Sequence, residues 1–311
     1  MIPSITLGTR ASALAMAQTD LTRKALAEAF PDLELKVENF VTQGDRKLDL
    51  ELLQRTPGGG KGLFTRELEE ALFDGRIDVA VHSLKDLPGH MPAGLELAAV
   101  LPRAATADVL LSKHPGGLAG LPSGARVGTS SIRRARQLGW LRPDLEIVEW
   151  RGNVQTRLRK LGQQESCAGI VLAQAGLDRL GFNPAAGTVV FEAWAFHAAS
   201  LEEAMYPAIG QGVIALQISS TRPEIRELVA TINHARTWVA VEAERGLQRR
   251  LAGDCTLPVG VRTSESGGLV RMEALLFVEG RSEPVAASAS GPVADEVAAE
   301  VARQLDGCQP T

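Results

Sequence analysis

Aromatic residues are scarce, 4% of 311 with a single tyrosine. That leaves few platforms on which the bases of a single nucleic-acid strand could stack. Positive charge has no excess either: 33 Lys and Arg stand against 37 Asp and Glu, a formal charge of −4. An RNA-binding role is therefore disfavoured, and anion binding must come from locally gathered arginines. The three cysteines, Cys167, Cys255 and Cys308, are odd in number and far apart, which argues against a disulfide framework and against clustered metal ligands. Five histidines, at 82, 90, 114, 197 and 234, show no HExxH and no close pairing, so no metal is expected. There is no run of about 18 apolar residues to span a membrane, and MIPSITLGTR is not a basic stretch followed by an apolar core. The expectation is a cytoplasmic protein. Gly60-Lys61 does not make a phosphate loop, because Gly62 stands where Ser or Thr is required and Arg55 where the first glycine belongs.

What is present is ordinary globular material, 45% apolar and 23% charged, long enough for two or three cores. Strands and helices alternate over the first 220 residues, predicting βαβ units around mainly parallel sheets. Strands are expected at 4–8, 35–41, 77–84, 95–100, 125–128, 146–150, 169–173 and 213–218, and helices at 12–30, 64–72, 131–139 and 154–161. Residues 101–107 read as a crossover and 201–206 as a return. A third region opens at Arg222-Pro223, with helices over 224–233 and 235–251, a hairpin of 259–263 and 269–277, and a last amphipathic helix over 294–305.

The most informative stretch is Gly58–Pro88. A glycine run leads into an amphipathic helix with Phe64, Leu68, Ala71 and Leu72 on one face, then into a buried strand that ends at His82-Ser83. Lys85 and Asp86 emerge beyond the carboxyl end of that strand, where open α/β sheets take their ligands. Arginines fall at similar junctions: Arg10 after the first strand, Arg133 and Arg134 just after Thr129-Ser130-Ser131 where a strand hands over to a helix N-terminus, Arg151 at a strand end, Arg157 on the next helix and Arg179 beyond the strand at 169–173. Taken alone, each such arginine is a solvated or capping residue. Together they suit a ligand with many carboxylates, since each guanidinium binds one bidentately.

The order of GGGKGLFTRELE, DVAVHSLKDLP, LGTRASALAMAQ, VGTSSIRRARQL, EWRGNVQTRL, LAQAGLDRLG, PAIGQGV and GDCTLPVG resembles the porphobilinogen deaminase (hydroxymethylbilane synthase) family, over residues from about 5 to 262. The resemblance implies two hinged periplasmic-binding-protein-like (type II) α/β domains plus a smaller C-terminal α+β domain, with residues 1–101 and 204–220 in the first, 107–199 in the second and 223–311 in the third. It implies a monomeric transferase of heme biosynthesis that condenses four porphobilinogen molecules into a linear tetrapyrrole with release of ammonia. A dipyrromethane cofactor, held by a thioether to Cys255, would prime the chain. Asp86 and Lys85 match the family's catalytic pair. Lys61, Ser83, Thr129, Ser130, Arg133, Arg134 and Arg157, with Asp86, match cofactor-binding positions, and Arg10, Ser12, Arg151, Arg157 and Arg179 match positions that take substrate carboxylates. A carboxylate at Asp86 would stabilise positive charge on pyrrole nitrogen and help move protons.

Four departures from the family pattern stand out, one of them a run of residues. Asp254 replaces a glycine before the cysteine, where a carboxylate disfavours the thiolate. Pro57 replaces a lysine, Ala105-Thr106-Ala107-Asp108 replaces a run with one more arginine, and Gln217 stands where many members have Glu. The competing reading is a non-catalytic hinged binding protein for a polycarboxylate. A cysteine such as Cys255 in a third domain has no purpose in such a protein, and an export signal would have favoured it.

Overall fold

The structure is a computed structural model describing residues 2–41, 65–251 and 258–306. Three sheets carry it. The first has the order β2-β1-β3-β11-β4, built from β1 (Ser4–Arg10), β2 (Glu34–Phe40), β3 (Val79–Ser83), β4 (Leu95–Val100) and β11 (Ile214–Ser219). Helix α1 (Ala13–Ala29) begins at Ser12, whose hydroxyl accepts from the Ala15 N–H as an N-cap. With α6 (Pro223–Ala230) it covers one face, where Leu26, Ile225 and Val229 meet Ile5, Leu7, Val79, Val81 and Leu216. Helix α2 (Arg66–Phe73) covers the other with Leu68, Ala71 and Leu72. Thus α6, expected to open the C-terminal region, buries its apolar side against the first sheet.

The second sheet has the order β7-β6-β8-β5-β10-β9: β5 (Asp108–Ser112), β6 (Arg126–Gly128), β7 (Glu146–Val148), β8 (Gly169–Ala173), β9 (Thr188–Phe191) and β10 (Trp194–Ser200). Helices α3 (Ile132–Leu141), α4 (Val154–Gln163) and α5 (Gln174–Arg179) flank it. The third sheet, β12-β13-β14, joins β12 (Val259–Ser266), β13 (Leu269–Leu276) and β14 (Val285–Gly291). Its apolar face packs on α7 (Ala235–Arg250) and α8 (Ala294–Asp306) through Leu247, Met272, Val301 and Leu305.

The mainly parallel sheets expected from the alternation are instead mixed. β1 pairs in parallel with β2 and β3, and β6 with β7 and β8. The pairs β11–β3, β11–β4, β5–β8, β10–β5 and β10–β9 are antiparallel. The cause is the route of the chain. It leaves the first sheet after β4, builds the second, and comes back through 201–213 so that β11 must run against its neighbours. Two crossovers therefore join two α/β sheets, the hinged type II arrangement, with a smaller α+β unit following. No helix among the described residues is long and apolar enough to cross a membrane.

Candidate active site

The end of β3 positions the first set of groups. Ser83 exchanges hydrogen bonds with the buried Gln18 of α1, receiving at 2.8 Å from Nε2. Leu84–Asp86 then form one tight turn, anchored by Leu84 N–H to Val213 O at 3.0 Å. Leu84 points into the core, Lys85 is half-buried and Asp86 is exposed. Burial pushes the Lys85 ammonium down to about 8, and Arg134 and Arg133 push the same way against Asp86 and Asp108.

The second set sits where β6 meets α3. Ser131 caps the helix by accepting from the Arg134 N–H. Thr129 is buried and accepts from the Ser131 N–H at 3.1 Å, and the Ser130 hydroxyl donates to Trp150 O at 2.6 Å. Arg133 and Arg134 are buried and turned toward one carboxylate, Asp108 at the start of β5. Arg133 Nη2 lies 2.7 Å from Oδ2, and Arg134 donates to Oδ1 from Nη2 at 2.7 Å and Nε at 3.1 Å. Arg134 Nη1 also reaches Val171 O, and Arg133 Nη1 reaches Tyr206 O. Burial works against the Asp108 charge, yet the two guanidinium groups and the hydrogen bonds from Arg134 and Gln211 hold its carboxyl well below the usual carboxylate range. The arginine pair is thus preorganised by protein rather than waiting in solvent.

Arg157 faces the same space. Its Nε donates to Gly152 O at 2.7 Å, and burial with the Arg134 charge lowers it to about 10 despite the opposing pull of Asp86. Arg134, Arg157, Lys85 and Asp86 are therefore electrostatic neighbours drawn from both sheets. Arg10 acts on the buried His82 beside Ser83. Arg151 is part-exposed and paired with Glu149, and Arg179 donates from Nη2 to Gly212 O at 2.6 Å in the return crossover. Lys61, Cys255, Asp254, Pro57 and Cys308 lie outside the described residues.

The sequence reading passed over what holds these parts together. Asp108 belongs to no motif that marks it as functional in the sequence. Gln211 donates to Asp108 Oδ1 at 2.9 Å and to Thr106 O at 2.6 Å, linking the two crossovers. Arg103 binds Glu244 of α7 through both oxygens, at 2.6 and 3.2 Å, and donates to Gln211 O. The next residue of α7, Arg245, donates to Pro88 O and Gly89 O just past Asp86. A carboxylate directly following an Ala- and Pro-containing crossover and preceding an apolar run was the available signal.

Cations outnumber anions here: Lys85, Arg133, Arg134 and Arg157 face Asp86 and Asp108, and the buried Arg133 Nε has no hydrogen-bond partner among the described residues. Such a site fits a ligand carrying carboxylates. No group of three or more potential metal ligands occurs among the described residues.

Residues 5–227 match the family described as porphobilinogen deaminase, dipyromethane cofactor binding domain. Curated relatives named porphobilinogen deaminase include one from Syntrophomonas wolfei, 41% identical over 97% of this chain and 95% of its own. Another, from Moorella thermoacetica, is 44% identical over 97% and 92%, and one from Roseiflexus sp. is 46% identical over 84% and 81%. With the family match spanning most of its length and relatives this similar end to end, the chain belongs to the porphobilinogen deaminase (hydroxymethylbilane synthase) family, enzymes of the transferase class.

Proposed function

We propose that this protein condenses four porphobilinogen molecules, head to tail, into the linear tetrapyrrole 1-hydroxymethylbilane with release of ammonia, as a cytoplasmic monomer requiring no nucleic acid or metal. The observation that carries the reading is the excess of fixed cations from both sheets around an exposed carboxylate, Asp86. Porphobilinogen brings an acetate and a propionate, the charge this space lacks. The three sheets serve as three domains, 1–101 with 204–220, 107–199, and 223–311, with α6 docked back on the first.

The dipyrromethane, attached through Cys255, supplies when bound the terminal pyrrole carbon on which the chain is started. Arg133, Arg134, Lys61, Arg157 and Lys85 would hold its carboxylates, with Ser83, Thr129 and Ser130 adding hydroxyls. Asp86 accepts from pyrrole N–H groups, stabilises positive charge that develops on nitrogen as the C–N bond to ammonia breaks, and takes up the proton that the α-carbon sheds once the new C–C bond has formed, a proton that leaves overall with the ammonia. Arg10, Ser12, Arg151, Arg157 and Arg179 orient incoming substrate by its acid side chains, and orientation of this kind removes much of the entropic barrier to joining two molecules.

Intact mass of the purified protein tests this. The expected mass exceeds that of the bare 33.1 kDa polypeptide by two pyrrole units and climbs in discrete steps on adding porphobilinogen. Cys255→Ser has the bare mass, and Asp86→Asn stalls at an early step. A bare mass that never rises would leave only the hinged binding protein.

A further inference from the structure

Asp108 is buried, and two of the three arginines of α3, Arg133 and Arg134, converge on it. It opens β5, at the point where the first crossover enters the second sheet. Its Oδ2 is taken by Arg133 and its Oδ1 by Arg134 and Gln211. Gln211 also holds Thr106 O, and Arg103 holds Gln211 O. The same return segment packs against the catalytic turn: Leu84 N–H bonds Val213 O, and a Cβ on Gly210 would meet Leu84 Cγ at 2.7 Å. A continuous set of contacts thus runs from the Lys85–Asp86 turn through 210–213 to Asp108 and on to the arginine pair.

We infer that Asp108 is a positioning residue of the active site, pinning the Arg133 and Arg134 guanidinium groups at the hinge so that they face the Lys85–Asp86 turn with one excess positive charge rather than two. The inference rests on the proposed role of Lys85 as a cation for ligand carboxylates. Among the described residues, charged groups that act on Lys85 include Asp86 on its own turn, Arg133 and Arg134 on α3, and Asp108 on β5. Two guanidinium groups without a counter-charge would drive the neighbouring ammonium toward its neutral form. With Asp108 in place, Lys85 retains its proton up to about pH 8.

The test reads Lys85 directly and needs no turnover. The protein as purified is acetylated with trace acetic anhydride across pH 6–11, and the labelling of the Lys85 peptide is quantified by mass spectrometry. The midpoint in Asp108→Asn is expected about one pH unit lower than in the unaltered protein, and Asp108→Glu restores it. A folded Asp108→Asn with an unmoved midpoint overturns the inference, as does an Asp108→Glu shifted as far as Asp108→Asn, which would make packing rather than charge the cause. If Asp108→Asn does not fold, Arg133→Met removes a cation facing Lys85 and must raise the midpoint; no rise overturns the inference equally. In parallel, the alkaline limb of kcat/KM follows the labelling midpoint. Absence of any bilane from the unaltered protein would sink the functional reading while leaving the labelling result to judge Asp108.

Discussion

His82 is buried in β3 with its Nε2 2.9 Å from Gln217 Oε1 of β11. Burial pushes the imidazole down to about 4, and Arg10 adds to this against the hydrogen bond to Gln217. The unfolded chain takes up the proton near pH 6.5 while the folded one refuses it until about pH 4. Stability is therefore complete above the unfolded value and falls by about 3 kcal/mol as pH drops through that window. Replacing His82 with Gln keeps a neutral hydrogen-bonding group and is expected to flatten this dependence. Urea midpoints at pH 7 and pH 4.5 would differ less in the variant than in the parent; an equal difference would show that other groups govern acid sensitivity. Gln217, in place of the family's usual Glu, is consistent with this neutral pair, since a carboxylate there would favour the imidazolium. At this scale the sequence was informative about chemistry: Lys85, Asp86, Arg134 and Arg157 do come to one space. It did not reveal that Arg133 and Arg134 share Asp108 as a common partner, because an ion pair between residues so far apart in sequence leaves no periodic trace.

Among the elements, α7 ties the most parts together. Glu244 and Arg245 are consecutive, so they leave the helix about 100° apart and reach different neighbours, Arg103 at the crossover and the backbone past Asp86. Glu244 is fully buried and also accepts from the Gly210 N–H at 2.7 Å. Removing its charge strands Arg103, and loss of one partner of a buried pair costs about 3–5 kcal/mol. Glu244→Gln should lower the denaturant midpoint accordingly, and a midpoint equal to the parent's would mean the pair is solvated. Long helices such as α1, α7 and α8 were legible in the sequence, as were the short apolar runs of β4 and β8. The sequence reading missed β5, β9, β10, β14 and α5. β5 opens with a charged residue, β9 and β10 form an edge hairpin around Glu192 at φ 52°, and α5 is a single short stretch with an internal glycine. β14 is VAASASG, whose alanines and serines carry little strand preference; only its pairing with β13 makes it one.

For the whole molecule the crossovers are the covalent links between the two α/β sheets. They are laced by Ala104 N–H to Gly212 O and Leu101 N–H to Ile214 O, both at 3.1 Å. Gly212 has φ +86°, and a Cβ there would lie 2.5 Å from Ala104 O. Gly212→Ala must therefore spread the two segments, at a cost of about 1–3 kcal/mol. Calorimetry is expected to record a lower melting temperature, and mass spectrometry in the presence of porphobilinogen a build-up of short enzyme-bound chains. Normal melting and normal elongation together would mean that the close approach at Gly212 has no bearing on motion.

The return of β11 to a place between β3 and β4 has a bearing on synthesis. Residues 108–200 form an uninterrupted excursion and can acquire their structure as soon as they clear the ribosome. The earlier-made half must wait with an open slot down its middle until residue 219 is available. In a nascent chain the order of maturation is thus inverted relative to the order of translation, and the exposed flanks of β3 and β4 are the segment most in need of a chaperone in the interval.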